Sequence, residues 1–121
     1  MDAIFSYGTL MRGEPHHDML AAASPARILP ARILGFMISV GVYAAVVEGD
    51  GIIQGEYFEF EDISGLLPRL DAFEGEQYRR EQVAVEVDGV GLRQAWVYRW
   101  TGTLQDGPRI PSGDWRTHQR H

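Results

Sequence analysis

Two hydrophobic periods divide this chain. In "EDISGLLPRLDAFEGEQYRR" (61–80), Ile63, Leu66, Leu67, Leu70 and Phe73 recur at the spacing of one helix face, and the pattern stops at Gly75, a natural helix end. Pro68 would kink that helix from within, but a helix that begins there holds it at a favoured first position. Most of the remaining apolar residues read as strand. "AIFSY" (3–7) is a short apolar strand ended by Gly8, and "ARILGFMISVG" (31–41), "YAAVVEG" (43–49) and "GIIQGEYFEF" (51–60) are rich in β-formers. "EQVAVEV" (81–87) and "LRQAWVYRW" (92–100) alternate on either side of "DGVG" (88–91), which is the pattern of a hairpin. "EPHHDMLAAA" (14–23) predicts a helical turn or two before "SPARILP" breaks them, and the glycine- and proline-rich tail from 101 predicts a loop with one closing turn. Several short strands with one good helix predict an antiparallel or mixed sheet curling into a small barrel, with helices over its openings.

Composition narrows the chemistry. At 121 residues, with 45% hydrophobic and 23% charged residues, the chain fits a single soluble globular domain spanning 1–121. It contains no cysteine, so disulfides, thiolate metal sites and a cysteine nucleophile are excluded. All eleven residues of the Lys+Arg count are arginine. A lysine Schiff base is therefore impossible, and so is a phosphate loop that needs its lysine. The formal net charge of -6 argues against nucleic acid as a partner. No apolar stretch approaches the roughly 18 residues of a membrane span, and Met1-Asp2 opens with an acid rather than a basic signal region. A cytoplasmic chain with no membrane partner is expected.

One carboxylate breaks the pattern of the helix. At about 100° per residue, Glu74 falls within roughly 30° of the centre of the face defined by Ile63, Leu66, Leu67 and Leu70, while Asp71 lies nearer its edge. Two readings are open. In the last turn a glutamate can reach water or pair with Arg79 or Arg80. Alternatively it is a partly desolvated carboxylate whose pKa rises towards neutrality, as a general base requires.

"YGTLMRGEPHH" (7–17), "GEYF" (55–58), "LDAFEGEQYRR" (70–80), "WVYRW" (96–100) and "IPSGDW" (110–115) together resemble the γ-glutamylcyclotransferase family over nearly the whole chain. The resemblance implies an α+β fold, a small mixed β-barrel of about five to seven strands with short flanking helices. It also implies cyclisation of a γ-glutamyl amine or amino acid to 5-oxoproline, with a small-molecule substrate and neither cofactor nor metal. Carried over residue by residue, the family's catalytic glutamate matches Glu74. Its substrate loop matches Tyr7, Gly8, Thr9 and Leu10, whose backbone N–H groups would hold the γ-glutamyl group, and its hairpin aromatic position matches Tyr98. A non-catalytic binding domain on the same fold and a γ-glutamyl amide hydrolase are the alternatives. The leaving amine and the oligomeric state are not encoded in any readable motif.

Other residues have plainer readings. Glu56 could be a second site carboxylate or a barrel-wall glutamate paired with arginine. Trp96, Tyr98 and Trp100 share a strand face, which usually means core. His16, His17, His118 and His121 read as solvated surface histidines rather than metal ligands, and Asp18 beside the first pair does not alter that. "SGDW" (112–115) reads as a helix start that packs Trp115 over the barrel.

Overall fold

The computed structural model describes residues 2–119. Strands β1 (Asp2–Ser6), β2 (Arg27–Val40), β3 (Tyr43–Phe60), β4 (Tyr78–Val87), β5 (Gly91–Trp100) and β6 (Arg109–Ile110) are joined by short helices α1 (Asp18–Ala21), α2 (Leu67–Glu74) and α3 (Trp115–Gln119). The strand order β3-β1-β5-β4-β2-β6, with an added β2–β3 pairing, closes β1 to β5 into a five-stranded barrel and leaves β6 as an extra strand on β2. β1 runs parallel to β5 and the other pairs are antiparallel, so the barrel is mixed. This is the barrel fold that the resemblance implies. No helix among the described residues is long and apolar enough to cross a membrane.

Alternation along the strands makes two cores. Ala3, Phe5, Tyr7, Val85, Val87, Ala95 and Val97 belong to one, inside the barrel. Ile4, Phe58, Phe60 and Tyr98 point the other way, where Leu20 of α1, Leu66 just before α2 and Leu70 within α2 cover them. Pro68 lies at the beginning of α2, so it starts the helix rather than kinking it, and Gly75 ends the helix with φ +81.

The structure differs from the sequence reading in several places: β4 begins at Tyr78, ahead of the expected residue 81, and α2 begins only at Leu67, so Ile63 and Leu66 of the expected face precede it. "YAAVVEGDGIIQGEYFEF" is one strand rather than two: Gly49 and Gly51 do not turn the chain but pass against the Phe36 ring, where side chains would collide with it, and beside them the β2–β3 register shifts between Leu34 and Phe36. β2 begins at Arg27, ahead of the expected residue 31, and passes through Pro30. Phe73, read as part of the buried helix face, is 39% exposed.

Candidate functional site

The path from β1 to α1 builds one side of the site. After Ser6 the chain leaves the sheet and turns, with the Met11 N–H donating to the Gly8 carbonyl at 3.2 Å and the His16 N–H to the Thr9 carbonyl at 2.9 Å. The N–H groups of Gly8, Thr9 and Leu10 donate to no protein acceptor among the described residues. Below the turn, the Tyr7 hydroxyl donates to the Tyr98 carbonyl at 2.6 Å, which ties the loop base to β5. Burial raises the Tyr7 phenol well above its ordinary pKa, so it remains a neutral donor.

Glu56 fastens the far side of the loop. This carboxylate is 3% exposed, yet its oxygens accept from the Arg12 backbone N–H at 2.7 Å and from Arg12 Nε at 2.8 Å. Arg116 Nη2 of α3 donates to Glu56 Oε1 at 3.3 Å and also to the Arg12 carbonyl. Glu56 is therefore the arginine-paired wall carboxylate, outside the pocket that holds Glu74. Glu56→Gln keeps the volume but loses the charge that holds two guanidiniums. Because Arg12 is half exposed, we expect a loss of about 1–2 kcal/mol rather than the full price of a buried pair. Urea denaturation reads that loss, and amide hydrogen exchange should show faster opening confined to the 8–14 loop.

α2 supplies the other side. Glu74 is half-buried in its last turn and forms no hydrogen bond or ion pair among the described residues. The arginines that could have neutralised it are engaged elsewhere. Arg79 pairs with Glu81 at 2.6 Å, and Arg80 with Asp71 at 3.0 Å. Burial without a partner raises the Glu74 pKa to about 7. One turn earlier, Asp71 accepts from the Tyr98 hydroxyl at 2.7 Å, and this bond and Arg80 hold its carboxyl below the usual range. Burial and that same carboxylate push the Tyr98 phenol up.

These elements enclose a pocket of about 180 Å³. Tyr7, Gly8, Thr9, Leu10, Glu74 and Tyr98 all line it, so six positions spread over some ninety residues of chain meet at one place. The volume suits an amino-acid-sized group rather than a drug-sized ligand, whose pockets run to about 300–1,000 Å³. Ser6, Tyr43, Ala44, Phe73 and Tyr78 also line it and are not among the site residues expected from the sequence. Tyr78 stood inside the "QYRR" stretch, one strand start beyond Gly75, but nothing in the pattern showed that its hydroxyl donates to the Ala44 carbonyl at 2.9 Å. Burial, with the Glu74 charge adding to it, pushes its phenol up to about 12.

The remaining sequence candidates lie elsewhere. Trp96 is half-buried against the outer core with Arg80 over its ring at 4.7 Å, and half-buried Trp100 donates to Asp106 at 2.8 Å. His16 and His17 are half-buried rather than solvated. The His16 ring packs edge-on against Phe73, and His17 Nδ1 lies 3.1 Å from the Leu10 carbonyl, to which it must be the donor. His118 is exposed and stacks on Trp115, which is buried in the barrel core, and His121 lies outside the described residues.

Residues 4–117 match the family described as gamma-glutamyl cyclotransferase, AIG2-like. The chain is 33% identical to the protein named "Putative gamma-glutamylcyclotransferase YkqA" of Bacillus subtilis, over 96% of this chain but only 42% of that one. A crystal structure of YkqA superposes with a TM-score of 0.79, covering 98% of this chain and 40% of the other. The chain thus spans less than half the length of YkqA. A Vibrio cholerae protein named "Putative gamma-glutamylcyclotransferase" is 28% identical and matched over 93% of both chains. The crystal structure of the uncharacterized protein PH0828 from Pyrococcus horikoshii, 27% identical, superposes with a TM-score of 0.69 over 100% of this chain and 98% of that one. With the matched residues covering the barrel, the 7–10 loop and α2, this chain belongs to the gamma-glutamyl cyclotransferase, AIG2-like family.

Proposed function

We propose that this chain cyclises the γ-glutamyl group of a γ-glutamyl amide, releasing 5-oxoproline and the free amine. One observation carries the reading: an unpaired carboxylate, raised to about 7 by burial, shares a small pocket with the unsatisfied N–H groups of a loop. The family membership and the names of its relatives agree with it.

The substrate carries its own nucleophile, so the protein need only fold it and move protons. Backbone N–H groups of Gly8, Thr9 and Leu10 take the α-carboxylate or the developing oxyanion. Glu74 accepts a proton from the α-ammonium. The freed amine then attacks the γ-carbonyl carbon and the ring C–N bond forms. As the tetrahedral oxyanion collapses, Glu74 returns that proton to the leaving nitrogen and the bond to it breaks; the carboxylate then takes the second proton from the ring nitrogen, which leaves the neutral lactam, and passes it to the released amine, which departs as an ammonium ion. Atoms balance with no water consumed. Holding amine and carbonyl in contact can supply about 7–11 kcal/mol, and the proton cycle about 10²–10⁴ in rate.

Incubation with γ-glutamyl amino acids and γ-glutamylamines tests the reading: 5-oxoproline supports cyclisation, glutamate means hydrolysis, and neither product means a binding domain. The pH dependence gives a second test. Glu74 must be ionised to accept the first proton, so kcat/KM is low below its pKa and rises with pH through a midpoint near 7. A profile flat from pH 5 to 8 would exclude Glu74 as the base.

A further inference from the structure

The stretch "LDAFEGEQYRR" (70–80) holds more charge than the proposed cyclisation uses, because Asp71 and Arg80 take no part in it. Arg80 grips Asp71 through two bonds, Nε to Oδ1 at 3.0 Å and Nη2 to Oδ2 at 3.2 Å, while its guanidinium lies over the Trp96 ring. The Tyr98 hydroxyl adds a third donor to Asp71, and the Tyr98 carbonyl accepts the Tyr7 hydroxyl at the base of the loop. α2 has no side-chain cap at its N-terminus and no basic residue in its last turn. Among the described residues, Asp71 is the one side chain of this two-turn helix that hydrogen-bonds to the barrel.

The pair stands beside the base but outside its pocket. Asp71 lies three residues before Glu74, a spacing that puts helix side chains about 5–6 Å apart at Cβ. Asp71 and Arg80 line a neighbouring cleft that shares only Tyr78 and Tyr98 with the Glu74 pocket, so these two rings are the wall between them. Across the pocket Glu74 faces phenols: Tyr7 from the loop, Tyr43 from β3, Tyr78 from β4 and Tyr98 from β5. Burial raises Tyr7, Tyr78 and Tyr98, so these three carry no charge at neutral pH. Of the other charged or titratable groups nearby, Arg79 and Arg99 are held by Glu81, Glu76 lines the cleft with Asp71, and the His16 ring packs against Phe73. Arg80 is thus the cation brought onto the helix of the base, and Asp71 offsets it.

We propose, on the basis of that cyclisation, that Asp71 is a positioning residue: by clamping Arg80 behind the tyrosine wall it cancels the guanidinium charge and leaves Glu74 free to act as a base. Without Asp71, the uncancelled cation stabilises the Glu74 carboxylate and makes it a weaker base. Without Arg80, the uncancelled Asp71 carboxylate does the opposite. A purely structural tie gives no such reversal of sign.

Titration of Glu74 tests this independently of turnover. In protein labelled with carbon-13 at the glutamate side-chain carboxyl, the Glu74 resonance is the one lost in Glu74→Gln, and its shift is followed against pH. From a parent midpoint near 7, Asp71→Asn should lower the midpoint by about one unit and Arg80→Gln should raise it, while the double variant should return towards the parent value. The acid limb of kcat/KM for 5-oxoproline release should move with the resonance in all three.

An unmoved midpoint in both single variants overturns the proposal and leaves cyclisation standing. A double variant that titrates like Asp71→Asn overturns it too, because the shift then belongs to Asp71 alone. Should Asp71→Asn fail to fold, Arg80→Gln decides: an unmoved or lowered midpoint overturns the proposal, and a raised one supports it. If the midpoints shift as expected but the parent releases no 5-oxoproline from any γ-glutamyl compound, cyclisation falls and the charge balance around Glu74 stands. With neither the shifts nor the product, both fall.

Discussion

Glu74→Gln is expected to remove 5-oxoproline formation, with kcat/KM down by at least about 10²–10⁴, while the barrel stays folded. The amide is the same size and shape as the acid but cannot take the ammonium proton. The loss should appear in kcat as well as in kcat/KM, because the proton must move in the bound state. Stability separates this outcome from simple damage. Burial raises the folded-state pKa of Glu74 to about 7 from an ordinary value of 4.5, so the folded protein binds this proton more tightly than the unfolded chain does. Its contribution to stability is therefore fully present below about pH 4.5 and is lost as pH rises towards 7. Glutamine carries no such penalty. At pH 8 the variant should match or exceed the parent in urea denaturation, and the difference should shrink or reverse at pH 4. An inactive variant that is also markedly less stable at pH 8 would point to a structural role. Retained 5-oxoproline release would remove Glu74 from the mechanism.

The second large effect is expected from Gly55→Ala. A Cβ at this position would press on the Ser6 carbonyl oxygen and sit 2.6 Å from Phe5 Cζ. A ring can tilt, but the Ser6 carbonyl belongs to the last residue of β1 and moves only with the backbone. Overpacking of this kind costs about 1–3 kcal/mol, and here the displaced segment leads directly into Tyr7, Gly8 and Thr9. A shift of about 1 Å in the loop would lower kcat/KM by roughly 10². Gly65→Ala is the control, since nothing lies within 4 Å of its Cβ position and its φ is not positive. If Gly55→Ala and Gly65→Ala behaved alike in urea denaturation and in turnover, the close approach of β3 to β1 would not control the site.

Glu74 was visible in the sequence because its neighbours are local. Helical period alone carried a carboxylate onto an apolar stripe, and Gly75 marked where the stripe ended. The fate of Arg79 and Arg80 was not visible. Both lie close enough in sequence to neutralise Glu74, but on β4 Arg79 is committed to Glu81 and Arg80 to Asp71, one turn before Glu74 on α2. Phe73 shows the reverse case. Its position fits the buried stripe, yet the helix ends one residue later beside the pocket, where the His16 ring packs edge-on against it and leaves it 39% exposed.

The histidines and Glu56 show how far local reasoning reaches. Adjacent histidines before a short helix look solvated until α2 brings Phe73 against one and the loop turns the Leu10 carbonyl towards the other. Glu56 could be assigned to an arginine-paired wall only in general terms. Its partners, Arg12 and Arg116, lie 44 and 60 residues away and arrive from opposite ends of the chain.

By itself the sequence determined the element types, the barrel class, the absence of thiol and lysine chemistry, and one carboxylate on an apolar helix face. These follow from period and composition, which act over a few residues. The tertiary structure decided that the 7–10 loop and Glu74 share a pocket, and that Glu74 has no counter-charge among the described residues. The reason is barrel closure: β1 pairs with β3 across some fifty residues and lies parallel to β5 across some ninety, and no local propensity encodes which strands will meet.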